Sequence, residues 1–230
     1  MILIAIKNTR LRSALKILSI VIILALGAFS ASFVSVERRY VYTVAVLTVM
    51  SLFLFVTGYE NKKIGTRRLV VVSIMIAFCV IGRFIPFFKP ISAITVITAI
   101  YLGGEAGFLT GSLSALISGF YFGIGPWTPF QMLAWGIVGL LAGFLSKILV
   151  GSRLLLIVYG ALSGIAYSLV MDVWSVLAYS GGLHFEDYYV AILAALPHTV
   201  LYAVSNIIFL LLLAGPIGRK LSRVKIKYGI

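Results

Sequence analysis

The 230-residue chain carries one cysteine, six acidic residues and two histidines, and only 11% of its residues are charged. A single cysteine, Cys79, permits no internal disulfide and no cysteine-based metal cluster. It lies in an apolar run and reads as a small packing residue. So little charge excludes an ordinary soluble domain, in which about 25% of residues are charged. With 62% hydrophobic residues and a mean hydropathy of +1.14, it also excludes a disordered chain, a coiled coil and a soluble enzyme. Catalytic signatures are missing too. There is no phosphate-cradling Gly-rich loop, no His-Glu-x-x-His and no Gly-x-Ser-x-Gly. Asp172 stands alone in its apolar run and Glu105 falls at the opposite face, so neither an aspartyl dyad nor a carboxylate chain for proton coupling can form. No catalytic residue, metal site or permanently bound cofactor is expected. If the chain transports, something else drives it.

What the chain has is long uncharged apolar runs, which argue for spanning helices because barrel strands would alternate. Eight spans are expected: 17–36, 40–59, 69–86, 90–104, 106–122, 129–146, 154–180 and 188–213. The Gly123–Pro129 loop breaks the run between the fifth and sixth, and Gly215-Pro216 closes the eighth. The 19 Lys and Arg give a net charge of +13, which in a soluble protein would suggest nucleic acid. In this chain they suit cytoplasmic loops facing anionic lipid, and no nucleic-acid partner is expected. With the N terminus inside, 15 of the 19 fall on the inner side, so both termini are expected in the cytoplasm. The basic start followed by an apolar run and Ala28, Ser30, Ala31 and Ser32 resembles a signal peptide. The full span length of that run favours an uncleaved helix.

Ionisable groups within a membrane are costly and point to function. Arg83, Gln131, Asp172 and His198 all fall in the expected outer half, and Tyr202 and Asn206 continue the His198 face at four-residue spacing. Phe84, Phe87, Tyr121, Trp127, Trp135, Trp174 and Tyr179 surround them. Polar groups with aromatic walls, open to one side, are expected to form an extracellular ligand pocket. Plainer roles stand beside this one. Trp127, Tyr179, Tyr188 and Tyr189 suit an interfacial belt; Asp172 and Arg83 suit an interhelical ion pair; His198 suits bridging the backbone groups freed by Pro197; Gln131 suits a helix start. Small-residue faces at Gly107 and Gly111, at Gly136, Gly139 and Gly143, and at Ser73-x-x-x-Ala77 allow close helix contact, within the bundle or with a partner helix.

The stretch from about Arg67 to the C terminus resembles the substrate-binding S components of energy-coupling factor (ECF) transporters. The residues that carry this are Gly82-Arg83, Pro90 to Gly104, the run Tyr101-Leu-Gly-Gly-Glu-Ala-Gly-Phe-Leu-Thr-Gly111, the loop Gly125-Pro-Trp-Thr-Pro-Phe-Gln-Met132, and Lys225-Ile-Lys-Tyr-Gly229. The resemblance implies a transport subunit, not an enzyme, with a six-helix core over 67–230 that binds a vitamin from outside. It implies a transmembrane coupling protein and two cytoplasmic ATPases as partners, and a prokaryotic plasma membrane as the location. Ser73 and Ala77 match the family's Ala-x-x-x-Ala contact to the coupling protein, with serine in place of the first alanine. Residues 1–66, two further spans and a basic linker, depart from the usual core. The loop and the extra spans look most similar to cobalamin-type S components. A corrinoid would be held by Arg83, Phe87, Tyr121, Trp127, Thr128, Gln131, Trp135, Asp172, Trp174, His198, Tyr202 and Asn206. An S component for another small vitamin, a lipid- or prenyl-directed enzyme using Asp172 and His198, and a membrane scaffold remain as alternatives.

Overall fold

The computed structural model describes residues 66–180 and 182–229. The expected spans 17–36 and 40–59, and the signal-like start, lie outside them. Among the described residues all regular structure is helical: α1 Thr66–Gly82, α2 Ile91–Leu102, α3 Gly104–Phe122, α4 Thr128–Phe144, α5 Ser146–Gly151, α6 Arg153–Tyr179 and α7 Phe185–Tyr228. Two of these, α6 with 27 residues and α7 with 44, are long and apolar enough to cross a membrane.

Local chemistry sets the helix ends. Gly103 and Gly123 both adopt positive φ, +97° and +100°, and stop α2 and α3 at the places where only glycine turns the chain without strain. Pro129 sits in the first turn of α4, where its missing N–H costs nothing. Ser152 caps α6, its hydroxyl accepting from the Leu155 N–H at 3.4 Å. α7 has Glu186 and Asp187 in its first turn and Lys225 and Lys227 in its last, both favourable to the helix dipole.

Three boundaries differ from expectation. α1 stops at Gly82 instead of running toward Pro86, and residues 83–85 continue as tight turns, with the Phe84 N–H bonded to the Ile81 carbonyl at 3.1 Å. The basic stretch after α4 forms the short helix α5. Gly215-Pro216 does not close the last helix, which continues to Tyr228. Proline's fixed φ is itself helical, so the helix loses one hydrogen bond there and does not break once its far end is packed. That end is held: Lys225 Nζ donates to the Tyr101 carbonyl at 3.0 Å, and the Arg67 guanidinium lies 5.4 Å from the Tyr228 ring centre.

α2 is the centre of the bundle. Eleven of its twelve residues are buried, and it packs against α1, α3, α4 and α7. Twelve residues rise only about 18 Å, too short to cross about 30 Å of hydrocarbon unaided, so its neighbours shield it from lipid. Arg68 of α1 donates to the Leu102 carbonyl where α2 ends, and this marks one end of the bundle, the Arg68 end. Arg83, at the far end of α1, marks the other.

The closest contact in the bundle joins α3 to α4. A Cβ placed on Gly107 would lie 2.8 Å from the Gly139 carbonyl oxygen, one on Gly139 2.4 Å from the Gly107 carbonyl carbon, and one on Gly143 2.1 Å from the Gly104 Cα. The small-residue faces expected to pack within the bundle therefore meet each other. Gly139→Ala is expected to destabilise by about 1–3 kcal/mol through overpacking. Gly151→Ala, where a Cβ meets nothing within 4 Å, is expected to be neutral. Thermal unfolding in detergent compares the two.

Candidate functional site

Arg83 begins the site. The turn after α1 directs its guanidinium across to α3, where Nη1 donates to Ser118 Oγ at 2.5 Å. Ser118 in turn donates to the Ser114 carbonyl at 2.6 Å, so its lone pairs are free for the cation. The guanidinium also lies 4.9 Å from the Phe122 ring centre and 5.6 Å from that of Trp135, within range of cation–π attraction.

From Trp135 an aromatic wall crosses three helices. Its indole stacks on Tyr167 of α6 with centroids 4.5 Å apart and planes 10° from parallel. Tyr167 meets Tyr202 of α7 edge-on at 5.1 Å and 73°. Trp135 and Tyr167 are buried, and Tyr202 is half-buried. Gln131 lies one helical turn before Trp135 on α4 and is also buried, so its amide shares that face. The glycine seam positions this wall: a Cβ on Gly111 of α3 would lie 2.4 Å from the Trp135 carbonyl oxygen, so the Trp135 backbone sits against α3 and its indole extends toward α6.

A second cation stands nearby. Lys89, in the loop between α1 and α2, is half-buried, and its carbonyl accepts from Ser205 Oγ of α7 at 3.1 Å. Burial, and then the charge of Arg83, hold its ammonium below the usual lysine range.

The expected site residues divide into groups. Arg83, Gln131, Trp135 and Tyr202 come together at the wall. Thr128 is buried and accepts from the Gly125 N–H at 3.0 Å, which shapes the α3–α4 loop; Trp127 covers Gly125 in the same loop. Tyr121 is exposed and packs on Phe84 at 4.6 Å at the rim. Phe87 is 75% exposed, and its φ of +63° is the positive value found outside glycine among the described residues. Trp174 packs on Phe130 at 5.4 Å, nearer the Arg83 end of the α4–α6 contact than the wall itself. Asp172 is buried, and its Oδ2 has no hydrogen-bond partner. The ion pair considered for it is not what Arg83 makes; the described partner of Arg83 is Ser118. Asn206 is drawn into helix packing, its Nδ2 donating to the Gly160 carbonyl at 3.1 Å and to Ser163 Oγ at 3.4 Å. His198 is exposed on α7. Ser73 and Ala77 are both exposed on α1.

Tyr167 and Phe122 were not singled out from the sequence, and Ser118 was read there only as one of the small packing residues of its span, with Gly107 and Gly111. Tyr167 follows Gly160 and Gly164 on the face of α6 that meets α7, a Cβ on Gly164 lying 2.8 Å from the Ala203 nitrogen. That spacing of a tyrosine behind two glycines is the signal that would have found it.

A family model described as the ECF-type riboflavin transporter S component matches residues 63–221. The chain belongs to this family. It is therefore a substrate-binding subunit of a vitamin transporter, resident in a membrane, and not itself an enzyme. The matched description names riboflavin, and the similarity to cobalamin-type members gains no support from it. No curated protein and no solved structure matches the chain.

Replacing Asn206 by leucine is expected to lower stability by about 0.6–1.7 kcal/mol, the range for a hydrogen bond between membrane helices. Removing the exposed His198 side chain in His198→Ala is expected to leave stability unchanged. Thermal midpoints of the two purified variants provide the comparison.

Proposed function

We propose that this chain binds riboflavin or a closely similar flat, conjugated vitamin against the Trp135–Tyr167–Tyr202 wall, with Arg83 at its polar edge. The observation that carries the reading is that wall: a near-parallel indole–phenol stack at 4.5 Å with a guanidinium over the same indole. A planar ring system gains stacking energy on such a surface. The imide edge of a flavin presents carbonyl oxygens that suit the donors of Arg83 and Gln131. The matched family's description supports the same choice. Cobalamin, the expectation drawn from the sequence, is large and would need a wide opening between walls that here lie in ring contact.

The Lys/Arg bias supports placing the Arg83 end outside and the Arg68 end in the cytoplasm. The ligand then enters from outside. In this reading a transmembrane coupling protein docks at Ser73 and Ala77, and two partner ATPases drive delivery inward across a prokaryotic plasma membrane.

The test is binding to the purified full chain in detergent, without ATP or partners, read by quenching of flavin fluorescence and by calorimetry, with cobalamin in parallel. Saturable riboflavin binding and none of cobalamin is the expected result. Arg83→Met is expected to weaken binding by about 10–150-fold, the loss of a hydrogen bond from a charged group. Trp135→Ala is expected to weaken it at least about tenfold while Trp135→Phe, which keeps a ring for stacking, loses less. A folded chain that binds cobalamin and not riboflavin, or neither, would overturn the reading.

A further inference from the structure

A pocket of about 280 Å³ opens on the outside of the bundle where α2, α5, α6 and α7 meet, toward the Arg68 end. Leu149 of α5, Ile157 of α6 and Leu211 of α7 give it apolar walls, and Arg153 at the start of α6 also lines it. Leu211 and Arg153 are both exposed, so the pocket is reached from beside the bundle.

Its two ends differ in polarity. α6 and α7 run antiparallel, and their register is fixed where Leu210 packs on Gly160 and Asn206 donates to the Gly160 carbonyl at 3.1 Å. Ile157 and Leu211 lie within about 5 Å of that contact along their helices. Arg153 lies about 11 Å from it along α6, and Arg219 about 14 Å from it along α7, both toward the Arg68 end. The two arginines therefore start from nearly one depth. Arg219 turns back over the pocket: its Nη1 lies 3.9 Å from where a Cβ on Gly215, a lining residue, would stand.

We propose that this pocket seats one anionic phospholipid, with an acyl chain between Ile157 and Leu211 and its phosphodiester at Arg153 and Arg219. The order of groups with depth carries the argument. A purely apolar occupant has no use for cations at the rim, and a soluble anion has none for hydrocarbon walls. A phospholipid needs both, in this sequence. Guanidinium groups suit phosphate oxygens because their donors are paired and planar. No acid lines the pocket among the described residues, so the ammonium of a zwitterionic headgroup would meet two cations and no partner.

The place of Arg153 points the same way. It stands in the first turn of α6, where the helix dipole disfavours a cation. The stability of α6 does not explain it there, whereas a phosphate would be drawn by both the guanidinium and the helix start. Basic pockets between spanning helices on the cytoplasmic side bind acidic lipid headgroups. The proposal takes only the choice of leaflet from the orientation given above, and nothing from the choice of vitamin.

Native mass spectrometry of the purified, delipidated full chain tests this. Dioleoyl phosphatidylglycerol and dioleoyl phosphatidylcholine are titrated in the same detergent. The expected result is one phosphatidylglycerol held per chain, and phosphatidylcholine held at least about tenfold more weakly. Arg153→Gln combined with Arg219→Gln is expected to weaken retention about 25-fold, roughly fivefold for each cation. Lys220→Gln combined with Lys227→Gln removes the same charge from the same end outside the pocket, and is expected to change it by less than about twofold. Leu211→Trp, which fills the apolar part and keeps both cations, is expected to reduce retention too. It reads the same seat if the arginine pair variant is not monodisperse on gel filtration. Glycerol phosphate, a headgroup without chains, is expected not to displace the lipid. Equal retention of the two lipids, displacement by glycerol phosphate, full retention in Leu211→Trp, or a loss in the arginine pair no larger than in the lysine pair would overturn the proposal.

Discussion

The site depends on how closely α3 and α4 approach. With no Cβ at Gly107 or Gly139, the two backbones meet directly, and the same seam continues through Gly104 and Gly143 and through Gly111 against the Trp135 carbonyl. Ser118 lies two turns beyond Gly111 on α3, and Trp135 lies one turn before Gly139 on α4. Their side chains reach Arg83 from two helices because those helices share this separation. In lipid the hydrophobic effect does not hold helices together, so a seam of this kind is a main source of cohesion. Widening it by one methyl would push the Trp135 indole toward Tyr167, already in contact with it.

Arg83 is an unusual anchor. A guanidinium at such a depth is ordinarily matched by a carboxylate, but its described contacts are a hydroxyl and two aromatic faces. These neutral partners hold the cation in place without neutralising it. Its remaining donors keep their attraction for acceptor oxygens on a ligand, which a salt bridge would have weakened. The nearby Lys89 adds positive potential at the same end.

Much of this architecture was legible in the sequence. Apolar runs located α2, α3, α4 and α6 and the start of α7 to within a few residues, because membrane-length hydrophobicity and Gly/Pro punctuation are strong local signals. The continuation of α7 past Pro216 was not, since it depends on Tyr101 and Arg67 gripping the far end, contacts distant in sequence. Within the site, Arg83, Gln131 and Trp135 were marked by polarity or size in an apolar setting. Tyr167 was not, because one of 12 tyrosines carries no such mark until its stacking partner is known. Asn206 and Asp172 show the opposite problem. Both are polar residues in apolar helices, yet the amide of Asn206 serves the α6–α7 contact, and Asp172 takes no part in the Arg83 contacts. The substrate was the least legible feature, because aromatic walls suit many vitamins.

α7 has a mechanical consequence of its own. Asn206, clamped to Gly160, lies near the middle of its 44 residues. About 33 Å of helix extends from there to Tyr228 and about 31 Å back to Phe185. A tilt of only 10° about that fulcrum would swing either tip by about 6 Å. Pro197 and Pro216 leave the carbonyls four residues before them without their helical donors, so bending is cheapest on either side of the pivot. One continuous helix thus links the aromatic wall, through Tyr202, to the tip held at Lys225, with Pro216 between them as the point where that link bends most readily.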